Sequence, residues 1–117
     1  SSTHATMERY FAIRADVSRA DELREMFREP MVVHGPGPTR VENLDEFVVR
    51  VKSEKDADPL LAFRADGVLC AGDRALLRWS YLKGEAVAAA GLTLYALDGG
   101  VVAERWQTSL REGVPWM

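Results

Sequence analysis

The chain has 117 residues, which is enough for one hydrophobic core and too few for two ordinary domains, so we expect a single domain over residues 1–117. Its 15 basic and 18 acidic residues give a formal net charge of −3, which leaves no general positive field for phosphates and argues against nucleic-acid binding. The single cysteine excludes an intramolecular disulfide, and no cluster of Cys and His residues has the spacing of a zinc site, so we expect no metal.

The first part of the chain has helical periodicity. The first predicted helix carries one stripe at three- and four-residue spacing that can face a core, formed by Met7, Tyr10, Phe11 and Arg14. The second predicted helix begins at Ser18, whose hydroxyl can cap the free amides together with Asp21, and Pro30 ends it. Its buried stripe consists of Leu23, Met26 and Phe27.

A short strand and a third helix follow. Residues 31–34 are β-prone, and the Gly-Pro repeat at 35–38 can continue neither a helix nor a ladder. The third helix opens with Asn43 and Glu46 at capping-box spacing and ends before Asp58. Its apolar stripe consists of Leu44, Phe47, Val48 and Val51.

The second half of the chain reads as four long strands separated by turn residues. We place them at residues 60–71, 74–83, 87–97 and 101–110. Asp66-Gly67 interrupts the first of them, either as a bulge or as a separate hairpin turn. We favour the bulge, because a sheet this small must curl if it is to enclose a ligand. Helices followed by strands predict the α+β class, with helices on one face of an antiparallel sheet.

This order of elements resembles the nuclear transport factor 2 superfamily, which includes ketosteroid isomerases and SnoaL-like polyketide cyclases. The residues that carry the resemblance are 7–10, 34–38, 71–74 and 92–106. The resemblance implies a cone-shaped α+β barrel, in which three N-terminal helices pack on a curved, mostly antiparallel sheet around a pocket for a small, largely apolar molecule. Because this fold hosts both enzymes and binding proteins, function has to be argued from the site.

The resemblance suggests three catalytic residues, His34, Tyr10 and Thr93. His34 stands where the isomerases place the carboxylate that moves a proton, and an imidazole can do the same work near neutral pH, although it can equally be a histidine that bonds a backbone carbonyl. Tyr10 matches the tyrosine that donates to the substrate oxygen in the isomerases, or else it is a member of the core stripe. Thr93 replaces the aspartate of the isomerases and cyclases, and a hydroxyl cannot serve as a general acid.

Two neighbouring residues on the second long strand are candidates for substrate binding. Arg78 and Ser80 share one face of the strand, and Trp79 and Tyr81 share the other. Epoxide hydrolases of this fold carry an arginine and an aspartate two residues apart at similar positions, so Ser80 argues against that reaction. An inward Arg78 needs a partner such as Glu104 or a substrate oxygen, whereas an outward Arg78 is an ordinary solvated side chain.

The last two strands supply three further candidates for substrate binding. Tyr95 is two residues from Thr93 on the same strand, so both side chains share one face, and a second phenol lies in the pocket if Thr93 points inward. Trp106 and Gln107 have opposite parity, so only one of them can face the pocket. Trp116 is a candidate to cover the open end of the pocket or to form a dimer contact, and Cys70 is expected to be a packing residue.

Two functions remain open on the sequence. The first is a cofactor-independent enzyme that cyclises, isomerises or dehydrates a hydrophobic, polyketide-like carbonyl substrate, with His34 as base and Tyr10 as oxyanion donor. The second is a ligand-binding or dimeric assembly module, because Thr93 and Ser80 replace carboxylates of related enzymes. We expect a homodimer through the sheet face, where Trp79 or Tyr81 would lie.

The expected compartment is the cytoplasm. No apolar run approaches the roughly 20 residues that span a bilayer. Residues 1–5 lack the basic and apolar regions of a signal peptide, and a single cysteine suits a reducing environment. We therefore expect no membrane partner.

Overall fold

The computed structural model describes residues 2–110, and for residues 2, 55, 109 and 110 it describes the backbone alone. Trp116 therefore lies outside the described residues. Helix α1 spans Ser2–Ala15 and buries the expected stripe, with Met7, Tyr10 and Arg14 buried and Phe11 partly buried. None of the helices within residues 2–110 is long and apolar enough to cross a membrane.

The segment after α1 differs from the predicted second helix. It consists of a 3₁₀ helix, Val17–Glu22, and a one-turn helix α2, Leu23–Met26. Asp16 caps the 3₁₀ helix by accepting a hydrogen bond from the Ser18 amide, so the predicted Ser18 cap is wrong. Pro30 lies inside a strand, at an irregularity in pairing where a missing N–H group is tolerated, and it does not end the helix.

Helix α3, Leu44–Ala57, begins and ends where the sequence predicts. The Asn43 side chain accepts hydrogen bonds from the amides of Asp45 and Glu46, at 2.8 and 3.3 Å. Asp58 follows the last helical residue. The predicted apolar stripe of Leu44, Phe47, Val48 and Val51 is buried.

Residues 2–110 contain six strands, which are β1 Phe27–His34, β2 Arg40–Glu42, β3 Leu61–Ala71, β4 Arg74–Lys83, β5 Ala86–Asp98 and β6 Val101–Leu110. They form one sheet in the order β2-β1-β6-β5-β4-β3. The β1–β6 pair is parallel and the other pairs are antiparallel. The four long strands agree with the prediction to within a residue at each end, whereas β1 begins four residues earlier than predicted and β2 is not predicted.

The helices cover one face of this sheet and leave the other face open. On β4, Ala75 and Leu77 are buried under the helices, while Leu76 between them is exposed. The pairing of β3 with β4 shifts between Ala65 and Gly67, which confirms the predicted bulge. Cys70 packs against the core, as expected. The result is the cone-shaped α+β architecture, with an inner face toward the helices and an outer face away from them.

Candidate functional site

A pocket of about 460 Å³ opens on the inner face of the sheet. Its aromatic and apolar wall consists of Phe47, Leu61, Phe63, Trp79, Tyr81 and Tyr95. Its polar wall includes Tyr10, Arg14, Arg50, Glu54, Thr93, Arg105 and Gln107. An apolar chamber with a few converging polar groups is typical of a small-molecule site.

Four of the predicted site residues meet in this pocket. Tyr10 comes from α1, Thr93 and Tyr95 from β5, and Gln107 from β6. Thr93 pairs with Gln107, and Tyr95 pairs with Arg105, so neighbouring strands point these side chains to the same side. Of the two alternatives on β6, Gln107 is therefore the residue that lines the pocket.

Trp106 and His34 lie on the outer face of the sheet, and the expectation that His34 and Tyr10 share one chamber is wrong. His34 pairs with Trp106 across the parallel β1–β6 ladder, and their rings stack at a centroid distance of 5.0 Å. Trp106 alternates with Arg105 and Gln107, which point inward. The His34 Nε2 atom contacts Glu104, and Nδ1 lies 2.8 Å from the Thr39 hydroxyl.

Arg78 and Ser80 also point to the outer face, where they line a second cavity beside Asp66, so they do not share the inner pocket with Tyr10 and Thr93. Arg78 is exposed and approaches the Asp66 carbonyl at 3.4 Å, while Ser80 donates to the Asp66 carboxylate. Glu104 is not the partner of Arg78, because it contacts His34. Burial alone would raise the pKa of Asp66, but hydrogen bonds from Ser80 and Arg64 lower it.

The same alternation turns Trp79 and Tyr81 into the pocket, so neither of them lies on the open face as expected. The indole Nε1 of Trp79 donates to the Thr93 hydroxyl at 2.9 Å. A Cβ atom on Gly91 would lie 2.2 Å from the Thr108 carbonyl oxygen and 2.4 Å from a Trp79 ring carbon. Glycine at position 91 therefore leaves room for the indole against the sheet.

Arg14 organises the polar wall at one end of the pocket. It is only 7% exposed. Its Nη1 donates to the Tyr10 hydroxyl at 3.0 Å, and its Nη2 donates to Glu54 Oε1 at 2.6 Å and contacts the Tyr81 hydroxyl. Burial alone would lower the pKa of Arg14, yet the pKa is raised because the oxygens of Tyr10, Tyr81 and Glu54 surround the guanidinium.

Two phenols of the pocket, Tyr81 and Tyr95, are held neutral at physiological pH because the pKa of each is raised. Burial raises the pKa of Tyr81 to about 12, with Arg14 opposing that shift and Glu54 adding to it. Burial also raises the pKa of Tyr95 well above its usual value, and the neighbouring Tyr10 adds to the rise. Each of these two phenols therefore keeps a proton with which it can donate a hydrogen bond.

A second group of arginines lines the same pocket beside Phe47. Arg105 and Arg50 donate to the two carboxylate oxygens of Glu42, at 2.7 and 2.8 Å. Both guanidinium groups also lie over the ring of Phe47, at 5.1 and 5.2 Å from its centroid. Arg50, Arg105 and Phe47 line the pocket, whereas Glu42 does not.

Sequence reasoning missed Arg14, Glu54, Arg50 and Arg105 as site residues. A signal existed for Arg14, because it is a charge inside an otherwise apolar helix stripe. Arg105 shares its parity with Gln107, so the face of either one implies the face of the other. Among residues 2–110, no three His, Cys, Asp or Glu residues are grouped so as to hold a metal ion.

Comparison with solved structures shows several of similar fold. A nuclear transport factor 2-like protein of unknown function from Mesorhizobium loti has 21% identity and a TM-score of 0.74, with 94% of this chain and 92% of that chain covered. A proposed polyketide cyclase from Acidithiobacillus ferrooxidans has 21% identity and a TM-score of 0.71, with 97% and 92% covered. A proposed isomerase of the SnoaL-like family from Agrobacterium tumefaciens has 14% identity and a TM-score of 0.73, with 94% and 98% covered.

These identities are low, so the likeness to solved structures establishes the fold alone. No curated protein matches the sequence. A family model described as a SnoaL-like domain does match, over residues 7–105, which is most of the chain. That range runs from helix α1 into strand β6 and contains Tyr10, Arg14 and Glu54. The chain belongs to the SnoaL-like domain family.

Proposed function

We propose that the chain is a cofactor-independent enzyme that transfers a proton on a hydrophobic, polyketide-like carbonyl substrate, in a cyclisation, an isomerisation or a dehydration. One observation carries the proposal. The guanidinium of Arg14 bonds the Tyr10 phenol through Nη1 and the Glu54 carboxylate through Nη2. Because Tyr10 and Glu54 both line the pocket, an oxyanion donor and a proton acceptor face the same cavity.

In this scheme Glu54 accepts a proton from the carbon next to the substrate carbonyl, and Tyr10 donates a hydrogen bond to the oxygen that becomes an enolate. Isomerisation returns the proton from Glu54 to a different carbon. In cyclisation the enolate carbon bonds to a second carbonyl carbon, whose oxygen takes the proton. In dehydration the enolate expels a β-hydroxyl group, which takes the proton and leaves as water. Each of these routes regenerates the Glu54 carboxylate.

Arg14 acts in this scheme as a positioning residue. By donating to the Tyr10 oxygen it draws electron density from the phenol, which strengthens the hydrogen bond that Tyr10 gives to the substrate. By pairing with Glu54 Oε1 it fixes the carboxylate, and Tyr81 donates to the same oxygen at 3.2 Å. Glu54 thus takes the role that the sequence suggested for His34.

The alternative is a binding module without chemistry, and two observations favour it. The Glu54 Oε1 atom already accepts hydrogen bonds from Arg14 and from the Tyr81 hydroxyl, at 2.6 and 3.2 Å. The Thr93 hydroxyl already accepts a hydrogen bond from Trp79. If the chain is a binding module, the pocket binds a carbonyl compound without removing a proton from it.

Proton exchange on a model ketone separates the two functions. The probe is 2-acetylnaphthalene in D₂O, whose methyl protons exchange only if the carbon next to the carbonyl is deprotonated, and NMR follows the loss of the methyl signal. Glu54→Gln should slow the exchange by about 10²-fold or more, and Tyr10→Phe should slow it as well. Binding without exchange in the wild-type chain would leave the binding module as the function.

His34→Gln is the informative control for this experiment. The ring of His34 lies on the outer face with Trp106, so its replacement should leave the exchange rate unchanged. Arg64→Gln is a second control, because this arginine also lies outside the pocket, beside Asp66. Loss of exchange in His34→Gln would show that the imidazole of His34 is the proton acceptor, and it would contradict the assignment of that role to Glu54.

We also propose that the protein works in the cytoplasm.

We further propose that two copies of the chain form a dimer through the outer face of the sheet. Leu69, Leu76, Leu94 and Trp106 are cross-strand neighbours in one row across four strands. Leu69 is 73% exposed, and Leu76 and Trp106 are 39% and 37% exposed. A continuous apolar row of which three members are exposed and Leu94 is half-buried is the kind of surface that a second copy covers.

A further inference from the structure

The arginines around Glu42 outnumber the carboxylates that pair with them. Arg105 and Arg50 bind the two oxygens of Glu42, and an Arg40 nitrogen lies 4.0 Å from the same carboxylate. Three positive charges therefore share one negative charge. Since the whole chain carries a net charge of −3, this local excess is a property of the site rather than of the protein.

Arg105 is the buried member of this group. Its residue is 4% exposed, and its Nε is a buried donor with no hydrogen-bond partner among the described residues. An unpaired donor on a buried, charged guanidinium is costly, and buried polar groups are nearly always satisfied. An acceptor supplied from the pocket, which Arg105 lines, would offset part of this cost.

The positions of these arginines restrict where such an acceptor would sit. Arg50 and Arg105 both lie over Phe47, and all three residues line the pocket. Phe63 and Trp79 supply apolar wall to the same cavity. A ligand that fits both parts has an apolar body and an anionic group, and a planar carboxylate matches the paired N–H donors of a guanidinium.

We propose that the pocket binds an organic acid, with its carboxylate at Arg50 and Arg105 and its aromatic or apolar body against Phe63 and Trp79. The proposal rests on the proposed function in one respect, since the same pocket would hold the substrate. It narrows that substrate to a carbonyl compound that also carries a carboxylate.

The test compares two probes that share one ring system, 2-naphthoate and the neutral ketone 2-acetylnaphthalene, by isothermal titration calorimetry. The wild-type chain should bind the naphthoate about tenfold or more tightly than the ketone, because the charge-assisted contacts are made only by the carboxylate. The preference should shrink as salt is added. Equal affinities, or a preference for the ketone, would overturn the proposal.

Variants locate the anionic group. Arg50→Gln should remove most of the preference for naphthoate, and this side chain is more than half exposed, so the variant should fold. Arg28→Gln is the matched control, because Arg28 is also an exposed arginine that pairs with a carboxylate but lies outside the pocket. Arg105→Lys keeps the charge but loses the planar fork, and it should weaken naphthoate binding more than it weakens ketone binding.

The outcomes separate this proposal from the proposed function. A naphthoate preference that depends on Arg50, in a chain that binds the ketone but does not exchange its protons, supports the acid site and rejects the enzyme. Ketone exchange that depends on Glu54, without a naphthoate preference, rejects the acid site and keeps the enzyme. If neither probe binds, or if Arg28→Gln lowers naphthoate affinity as much as Arg50→Gln does, the acid site is rejected.

Discussion

Arg14 lies in the helix stripe that packs on the sheet, at a position where an apolar residue would complete the core. A buried ion pair contributes little net stability, because desolvation of both charges offsets their attraction. Arg14 instead positions other side chains, since its guanidinium fixes the Tyr10 phenol and the Glu54 carboxylate at the pocket wall. The polar chemistry of the site therefore begins with a residue that the stripe alone would assign to packing.

Gly91 provides a test of the inner wall at the scale of one residue. Gly91→Ala introduces a methyl group against the Thr108 carbonyl and the Trp79 ring, so it should destabilise the fold by about 1–3 kcal/mol through overpacking. The displaced indole should also lose its hydrogen bond to Thr93. Chemical denaturation measures the first effect, and the chemical shift of the Trp79 indole N–H signal reports the second.

Gly67 is the matched control for that substitution. A Cβ atom at Gly67 would meet no heavy atom within 4 Å. Gly67→Ala should therefore change stability by less than about 1 kcal/mol. Equal destabilisation by the two substitutions would show that loss of a strand glycine, rather than contact with Trp79, is the cause.

His34 shows why the sequence could not place every side chain of the site. Its face depends on β1 lying parallel to β6 with His34 opposite Trp106, and this long-range register leaves no local signature. The pairing of β5 with β6 is different, because a tight turn fixes its register. Spacing alone therefore grouped Thr93 with Tyr95 but gave His34 no face.

At the scale of elements, the four long strands and α3 were predictable because their signals are local. Turn residues separate the strands, and Asn43 marks the start of α3. The extent of the second helix was not predictable, because its helical capping and apolar spacing continue up to Phe27, where the chain changes to β1. The pairing of β1 with β6, on the far side of α3 and the meander, decides that change, and tertiary pairing overrides local propensity.

The outer face of β4 carries a prediction at the same scale. Leu76 lies in the apolar row of the outer face, between Leu69 and Leu94. Leu76→Glu would place a charge at the centre of a contact between two copies, so the variant should be monomeric at micromolar concentrations where the wild-type chain is dimeric. Light scattering measures the molecular mass of the wild-type chain and of the variant. A monomeric wild-type chain would contradict the proposed dimer.

For the molecule as a whole, the buried phenols make stability depend on alkaline pH. The pKa of Tyr81 is about 12 in the folded chain and about 10 in an unfolded chain. The folded state therefore holds this proton more tightly. The stabilising contribution is complete below pH 10 and is lost as the pH rises from about 10 to about 12.

The alkaline effect is isolated by comparison with Tyr81→Phe. The stability difference between the wild-type chain and this variant should fall by about 1–3 kcal/mol between pH 10 and pH 12, measured by urea denaturation. A difference that stays constant over this range would show that Tyr81 titrates alike in both states. Tyr95, whose pKa is also raised by burial, contributes a loss of the same sign to both proteins.

The architecture of the molecule followed from the order of its elements, whereas its chemistry did not. Three helices and a long meander indicate the fold because each element is long and has its own periodicity. The site depends instead on which strand faces point inward, and no local pattern sets that choice for Arg78 and Ser80 or for Trp79 and Tyr81. The alternation of these residues was predicted correctly, the face of Arg78 was left open, and the expectation that Trp79 or Tyr81 lies on the open face was wrong.

A structure of the chain in complex with 2-acetylnaphthalene tests the central claim most directly. We predict that the ring lies in the inner pocket against Phe63 and Trp79, with the ketone oxygen within hydrogen-bond distance of the Tyr10 hydroxyl and the methyl carbon near Glu54. A ketone bound on the outer face beside His34 and Trp106, or an inner pocket that stays empty at saturating ketone, would contradict the account.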